Sequence, residues 1–168
     1  MEDQFEGSEL AALRETSSNF HLMDYPMHYF AAIQRKNYGN LQSLLAAHQL
    51  TPTEWRMLAF LFERGALGIN GLSEITVTER SKTSRHIDAL HKRGLVVRET
   101  GTRDQRSASV SLTEAGTEKY TQVLPILKQI YAANLEGVDQ QEFDLLMKIL
   151  KKIKDNVSRI ESFASIRG

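Results

Sequence analysis

The stretch from Leu72 to Leu112 constrains the fold more than any other part of the chain. It contains two short helical patterns followed by two strand-like runs around a charged tip. The second helical pattern extends from about Glu79 to Arg93 and has two unlike sides at ~100° per residue. The inner side, which can pack against a small core, consists of Arg80, Thr83, Ile87 and Leu90. The outer side is mostly hydroxylic and cationic and consists of Ser81, Lys82, Arg85, Ala89 and Lys92.

This outer side has the chemistry of a surface that binds DNA. Serine, lysine and arginine side chains on a helix can reach base edges and phosphates in the major groove. His86 flanks the same surface and could contact a phosphate. The alternative is an ordinary solvated helix face, so the decision depends on the neighbouring segments.

A helix-turn-helix is predicted on the N-terminal side of this surface. Leu72 and Ile75 indicate a short helix from about Asn70 to Thr76, with Asn70 as its expected cap. The few residues between the two helices match the connection of a helix-turn-helix. Gly94 follows a basic last turn and is expected to end the second helix.

A β-hairpin is predicted on the C-terminal side. Leu95 to Val97 are typical of a buried strand, and apolar residues alternate with serines from Ser107 to Leu112. The tip between them carries Arg103 and Arg106 in addition to Arg98 at its base. A helix-turn-helix followed by such a hairpin is a winged helix-turn-helix, whose tip can lie along phosphates or enter the minor groove.

The segment from Leu50 to about Gly116 resembles the MarR/SlyA family of bacterial transcriptional regulators. Four runs of residues carry the resemblance: Arg103-Asp104-Gln105-Arg106, Leu112-Thr113-Glu114-Ala115-Gly116, Ser81-x-x-Ser84-Arg85 and Lys92-Arg93-Gly94-Leu95-Val96. One departure is Val77, where many members have glycine in the turn between the two helices. The departure predicts a turn of a different type and leaves the angle between the two helices open.

The resemblance implies a homodimer that binds a pseudo-palindromic operator in double-stranded DNA and usually represses transcription. It further implies that four positions of the second helix approach bases, namely Ser81, Lys82, Ser84 and Arg85. By the same resemblance, Asp104 is expected to brace the wing through an arginine, and Arg106 to reach the DNA backbone or minor groove.

Charge and composition exclude several other classes. The 168 residues have a formal net charge of zero, unlike a nonspecific nucleic-acid coat protein. From Arg80 to Arg106, however, eight basic residues against three acidic ones leave a local charge of +5. The chain has no cysteine, no signal peptide and no apolar run of the ~18 residues that span a membrane. We therefore expect a cytoplasmic protein without membrane contact.

Motifs of catalysis and of metal binding are absent from the sequence. It contains no Gly-rich phosphate loop, no HExxH and no recognisable nucleophile elbow. The five histidines do not stand at strong ligand spacing from one another or from acidic residues. The sequence therefore predicts neither an enzyme nor a metal site nor a cofactor.

Three further helices are indicated by their start signals. Thr51, Pro52 and Glu54 form a capping-box pattern before a helix that is apolar nearly all round to Arg64. Thr113 opens a helix to about Asn134 with Pro125 inside it, where a bend is expected. Asp139 is expected to cap the last helix.

The first and last helices are predicted to form a dimer seam. The first begins at Asp24 and has a stripe of apolar residues and a histidine, which consists of Phe30, Ile33, Leu41, Leu44, Leu45 and His48. The last has a stripe over some six turns, which consists of Phe143, Leu146, Leu150, Ile153, Val157, Ile160 and Ala164. Packing within one chain is the alternative. The predicted organisation is a flexible arm at 1–23, a dimerisation region at 24–49 and 114–168, and a winged helix-turn-helix domain at 50–113.

A small ligand is expected between the dimer helices and the winged domain, because many members of the resembled family bind an aromatic acid, a phenol or an acyl thioester there. The candidate lining residues are Met27, His28, Tyr29, Tyr38, Trp55 and Arg56. Aromatic walls with one cation suit an aromatic carboxylate. The alternative is that these aromatic residues belong to the core and to the subunit interface.

A second function class stays open at this point. A helical scaffold or co-regulator could keep the same fold and act through protein contacts, without ligand-gated operator binding. The cationic tip at Arg103 and Arg106 beside the face from Ser81 to Arg85 favours the DNA-binding regulator, because a scaffold needs neither.

Overall fold

The structure is a computed structural model, and it describes residues 25–99 and 109–160. These residues form six helices and three short strands. In chain order the elements are α1 Pro26–Ala46, α2 Pro52–Arg64, β1 Leu67–Gly68, α3 Ile69–Ile75, α4 Arg80–Lys92, β2 Val96–Glu99, β3 Ser109–Leu112, α5 Glu114–Asn134 and α6 Gln140–Ser158. The chain divides into two compact units, Met1–Tyr120 and Thr121–Gly168. The mainly helical fold with a small hairpin is the predicted one.

Two capping boxes define helix starts that the sequence predicts. At α2, the Thr51 hydroxyl accepts a hydrogen bond from the Glu54 amide at 3.2 Å, and the Glu54 carboxylate accepts one from the Thr51 amide at 2.9 Å. At α6, the same reciprocal pair joins Asp139 and Glu142, both at 2.9 Å. Each box satisfies two backbone donors that the helix itself leaves unpaired. Both predictions are confirmed.

The core of the first unit is built around α2. Met57 and Leu58 are fully buried, and the Trp55 ring stacks on Tyr120 with 4.9 Å between ring centroids. Such an aromatic pair contributes about 1 kcal/mol beyond the burial of its area. Leu61 of α2 is also buried, and the segments around α2 add further core residues, namely Leu45, Leu50, Leu72, Ile87, Leu90, Val96 and Val110. The helix is apolar nearly all round, which favours burial to about Arg64, but Phe62 is half exposed.

The wing strands form a small antiparallel sheet in the order β1-β3-β2. Val96 pairs with Leu112 and Arg98 with Val110, so the two predicted strands form the expected hairpin. Strand β1 adds Leu67 opposite Val110, a third strand that the sequence analysis missed. Leu95 and Val96 are buried as predicted, but Val97 is exposed because it points to the other side of the pleat.

Two predictions about the helix-turn-helix are wrong. Asn70 lies inside α3, whose N-cap is Gly68 with no side-chain hydrogen bond. The predicted position of Arg80 on the inner side of α4 is also wrong. Arg80 is the first residue of the helix, and its side chain is exposed. The inner side therefore consists of Thr83, Ile87 and Leu90.

The turn between α3 and α4 keeps a left-handed conformation. Val77 has φ 52°, a value that suits glycine and costs other residues about 1–2 kcal/mol. The valine therefore has a backbone conformation that glycine favours.

The first helix is buried only at its C-terminal end in the described chain. Leu41 and Leu45 are buried, whereas Ile33 is 64 % exposed. The first half of the predicted stripe is thus not covered within the described part of a single chain, and the dimer seam stays a prediction.

None of the helices described in residues 25–99 and 109–160 is long and apolar enough to cross a membrane.

Candidate nucleic-acid interface

Helix α4 presents a polar surface on one side and anchors itself with the other. Ser81, Lys82 and Arg85 are exposed, and Ser84 is half-buried beside them. The opposite side is held by Thr83, Ile87 and Leu90, which are fully or almost fully buried. A helix fixed by its inner side can offer hydroxyl and cationic groups to a duplex without losing its own packing.

Lys82 is paired in a way that leaves it available to a ligand. Its ammonium nitrogen lies 3.2 Å from a carboxylate oxygen of Glu79, one turn earlier. Both side chains are more than half exposed, so water and salt screen the pair and it contributes little stability. A phosphate can therefore replace Glu79 as the partner of Lys82 at small cost.

Arg98 joins the wing to α4, the second helix of the helix-turn-helix and its expected recognition helix. Its guanidinium Nη2 donates to the Asp88 carboxylate at 2.8 Å and to the Ser84 carbonyl at 3.4 Å. These contacts link β2 to α4. In the sequence Arg98 is recognisable only as a charge at the hairpin. Its link to α4 is not predictable, because residues on either side of a turn between a helix and a strand share no periodic spacing.

A buried carboxylate holds the C-terminal end of α4 against α2. Glu54, 5 % exposed, accepts a hydrogen bond from Arg93 Nη2 at 2.8 Å. Arg93 also donates through Nε to the Ala89 carbonyl and through Nη1 to the Gln49 carbonyl. The Nδ1 atom of His86 lies 3.9 Å from the same Glu54 oxygen. The predicted contact between His86 and a phosphate stays a prediction, and the ring has an internal partner in this structure.

The charged tip of the hairpin falls outside the described residues. Arg103, Asp104 and Arg106, which the sequence analysis assigned to DNA contact and bracing, all lie there. The described strands lead to that segment from Glu99 and return at Ser109.

The residues predicted to hold a small ligand differ in exposure. Tyr29, Tyr38 and Arg56 are exposed, and Met27 and His28 are half-buried. Trp55 is a core residue with 4 % exposure, in agreement with the alternative interpretation of that aromatic side chain. Within residues 25–99 and 109–160, no three His, Cys, Asp or Glu side chains are grouped to hold a metal ion.

The helix-turn-helix, the sheet beside it and the polar face of α4 together define a winged-helix DNA-binding protein. Residues 50–108 match the model of the MarR family. The chain belongs to the MarR family, and it is a DNA-binding transcriptional regulator. The family resemblance and the prediction of a regulator that is not an enzyme are thereby confirmed.

Similar proteins support this assignment over most of the chain. An HTH-type transcriptional regulator of Bacillus subtilis, YkoM, is 30% identical over 105 residues, which are 62% of this chain and 68% of that protein. The crystal structure of a MarR family regulator from Silicibacter pomeroyi is 30% identical, with TM-score 0.77, and covers 88% of this chain and 100% of its own. BpsR of Bordetella bronchiseptica, at 20% identity, shares the fold with TM-score 0.74 over 82% of this chain and 99% of its own.

Proposed function

We propose that the protein is a homodimeric repressor that binds a pseudo-palindromic operator and is released by a small aromatic ligand. The observation that carries the proposal is the face of α4, where Ser81, Lys82 and Arg85 are exposed beside a hairpin tied to the helix by Arg98. In this proposal Ser81, Lys82, Ser84 and Arg85 approach bases, and Arg103 and Arg106 contact the backbone or the minor groove. Asp104 holds the wing in shape.

The uncovered apolar surface of the terminal helices supports the dimer. The described helix α6 has no buried residue, although it begins with a complete capping box. Its apolar stripe includes the exposed Leu146 and Val157, and α1 leaves Ile33 exposed. A second copy of the chain would cover such stripes. It would also place two recognition helices about one turn of DNA apart.

The ligand step rests on side chains of α1 and α2 and on one similar protein. Tyr29, Tyr38 and Arg56 offer exposed rings and a cation, and His28 packs edge-on to Tyr29 at 5.7 Å. The DNA binding of BpsR is regulated by 6-hydroxynicotinic acid, which is an aromatic acid. We propose that an aromatic acid, a phenol or an acyl thioester favours a dimer whose recognition helices no longer match the half-sites.

A binding measurement tests the DNA step directly. Duplexes selected by the full-length protein from a randomised pool, together with the DNA upstream of its own gene, serve as probes in a mobility-shift titration. Roughly 6–10 phosphate contacts lower the affinity about 10³–10⁵-fold between 50 and 200 mM salt. A protein that selects no duplex at physiological salt would be a scaffold instead.

Two substitutions divide base reading from backbone binding. Arg85→Ala should lower the preference for the selected duplex over random DNA by about tenfold or more, because a base contact contributes roughly 1–3 kcal/mol. Arg106→Ala should weaken binding to both DNAs alike and reduce the salt slope by about 1. Arg64→Ala, an exposed arginine at the end of α2, is the matched control and should change neither.

The ligand step has a separate test. Aromatic acids, phenols and acyl thioesters are added to the complex with the selected duplex, and both the operator affinity and the thermal unfolding of the free protein are measured. A releasing ligand lowers the affinity and raises the unfolding temperature of the free protein. A panel that changes neither quantity contradicts the ligand step and leaves the DNA step intact.

A further inference from the structure

The turn between α3 and α4 contains a strained valine. Val77 has φ 52°, in the left-handed region where a branched side chain meets the backbone on both sides. Residues held in this region persist where the surrounding structure determines their conformation, and they are concentrated at functional sites. A strained Val77 is therefore a candidate functional residue, and its role depends on what causes the strain and on what its side chain can contact.

The strain comes from the way α3 ends. The Thr78 amide donates to the Ser73 carbonyl at 2.9 Å, and the Val77 amide donates to the Glu74 carbonyl at 3.2 Å. With Thr76 as C-cap, these two bonds form a Schellman motif, whose next residue must be left-handed. Glycine meets this requirement without strain, so the fold alone favours glycine at position 77.

The valine side chain gains little packing from the described residues around it. Val77 is 86 % exposed, more than any other large apolar residue in the described part of the chain. Neither packing nor backbone preference within the described residues accounts for an isopropyl group here. A favourable contact for this side chain must come from outside the described residues, and a bound molecule that covers the turn would supply it.

The position of Val77 indicates which molecule that is. It lies two residues before Glu79, the N-cap of α4, and is followed on α4 by the exposed Ser81 and Lys82. The N-terminal residues of a recognition helix contact base edges in the major groove. Thymine is the base that presents a methyl group there, and apolar side chains recognise it. Resting on the proposed operator binding, we propose that Val77 reads a thymine methyl group in each half-site.

The experiment pairs changes in the protein with changes in the DNA. Each thymine of the duplex selected by the full-length protein is replaced in turn by uracil, which removes the methyl group and keeps the base pair. Wild-type protein, Val77→Gly and Val77→Asn are titrated against every duplex. Asparagine tolerates the left-handed turn and lacks the methyl groups, so it separates the apolar contact from the flexibility of glycine.

We expect uracil at one position of each half-site to weaken wild-type binding about fourfold, because the contact of one buried methyl group with Val77 is lost. Uracil at that position should leave the affinity of both variants unchanged. Val77→Gly should also unfold at a higher urea concentration than wild type, since it removes the strain. An equal uracil effect in all three proteins at every position overturns the thymine contact alone. Failure to select any duplex overturns the operator binding and the contact with it.

Discussion

At the residue scale, Glu54 has two structural roles in one buried carboxylate. One oxygen caps α2 through the Thr51 amide, and the other holds Arg93 at the end of α4. The sequence analysis identified the first role because a capping box has fixed local spacing. It missed the second, since Arg93 lies 39 residues away and ion pairs across that distance leave no pattern.

The two roles can be separated by Glu54→Gln. The amide oxygen can still accept the Thr51 N–H, but the charged partner of Arg93 is lost within the protein. We expect the free energy of unfolding to fall by about 2 kcal/mol, less than for a fully buried pair because Arg93 is partly exposed. Urea unfolding followed by circular dichroism measures it. Glu63→Gln, an exposed carboxylate on the same helix, should stay within about 0.5 kcal/mol of wild type. Equal losses in the two variants would contradict the role of the ion pair.

At the element scale, helix ends could be predicted where a capping residue marks them. Helix ends without such a residue could not be located as well. Thr51, Asp139 and Gly94 mark boundaries that the structure shows within one or two residues. The prediction of Asn70 as a helix cap is wrong, because a residue type that favours caps also occurs inside helices. Strand β1 escaped prediction because its two residues have no periodicity and are defined by pairing with a distant strand.

The junction between the wing and α5 depends on Gly116. A Cβ atom at this position would lie 2.0 Å from the Leu95 carbonyl oxygen, which is backbone and cannot move aside. We expect Gly116→Ala to lower the free energy of unfolding by about 3 kcal/mol through overpacking. Urea unfolding of the full chain tests this.

Gly71→Ala is the matched control, because a Cβ atom there meets nothing within 4 Å and Gly71 lies inside α3. It should raise the free energy of unfolding by up to about 1 kcal/mol, since alanine favours the helix over glycine. The same sign of change for both glycines would contradict the close approach of α5 to Leu95.

At the scale of the whole molecule, the sequence predicted the fold better than it predicted the burial of the terminal helices. Periodicity shows which side of a helix is apolar, but the covering element can belong to another chain. Ile33 on α1 and Val157 on α6 belong to predicted stripes and are exposed in the single chain. Their exposure is a property of one subunit, and the proposed homodimer is its simplest explanation.

The homodimer makes a prediction about both mass and DNA binding. Leu146 and Val157 lie on the stripe of α6 and are exposed, so Leu146→Lys with Val157→Lys leaves the fold of each chain intact. Charges buried between two subunits oppose association. We expect sedimentation to give the mass of two chains for wild type and of one chain for the double variant.

In the proposed complex each chain of the dimer binds one half-site, so the variant should bind the selected duplex with at least a hundredfold lower affinity. The salt slope should fall to about half, in proportion to the phosphates contacted. Asp155→Lys is the matched control, since it adds a lysine on the opposite side of α6, and it should sediment as wild type. The proposal is contradicted if the double variant remains a dimer, or if it sediments as a single chain and still binds DNA with the wild-type salt slope. Either result would show that α6 does not form the dimer interface needed to bind two half-sites.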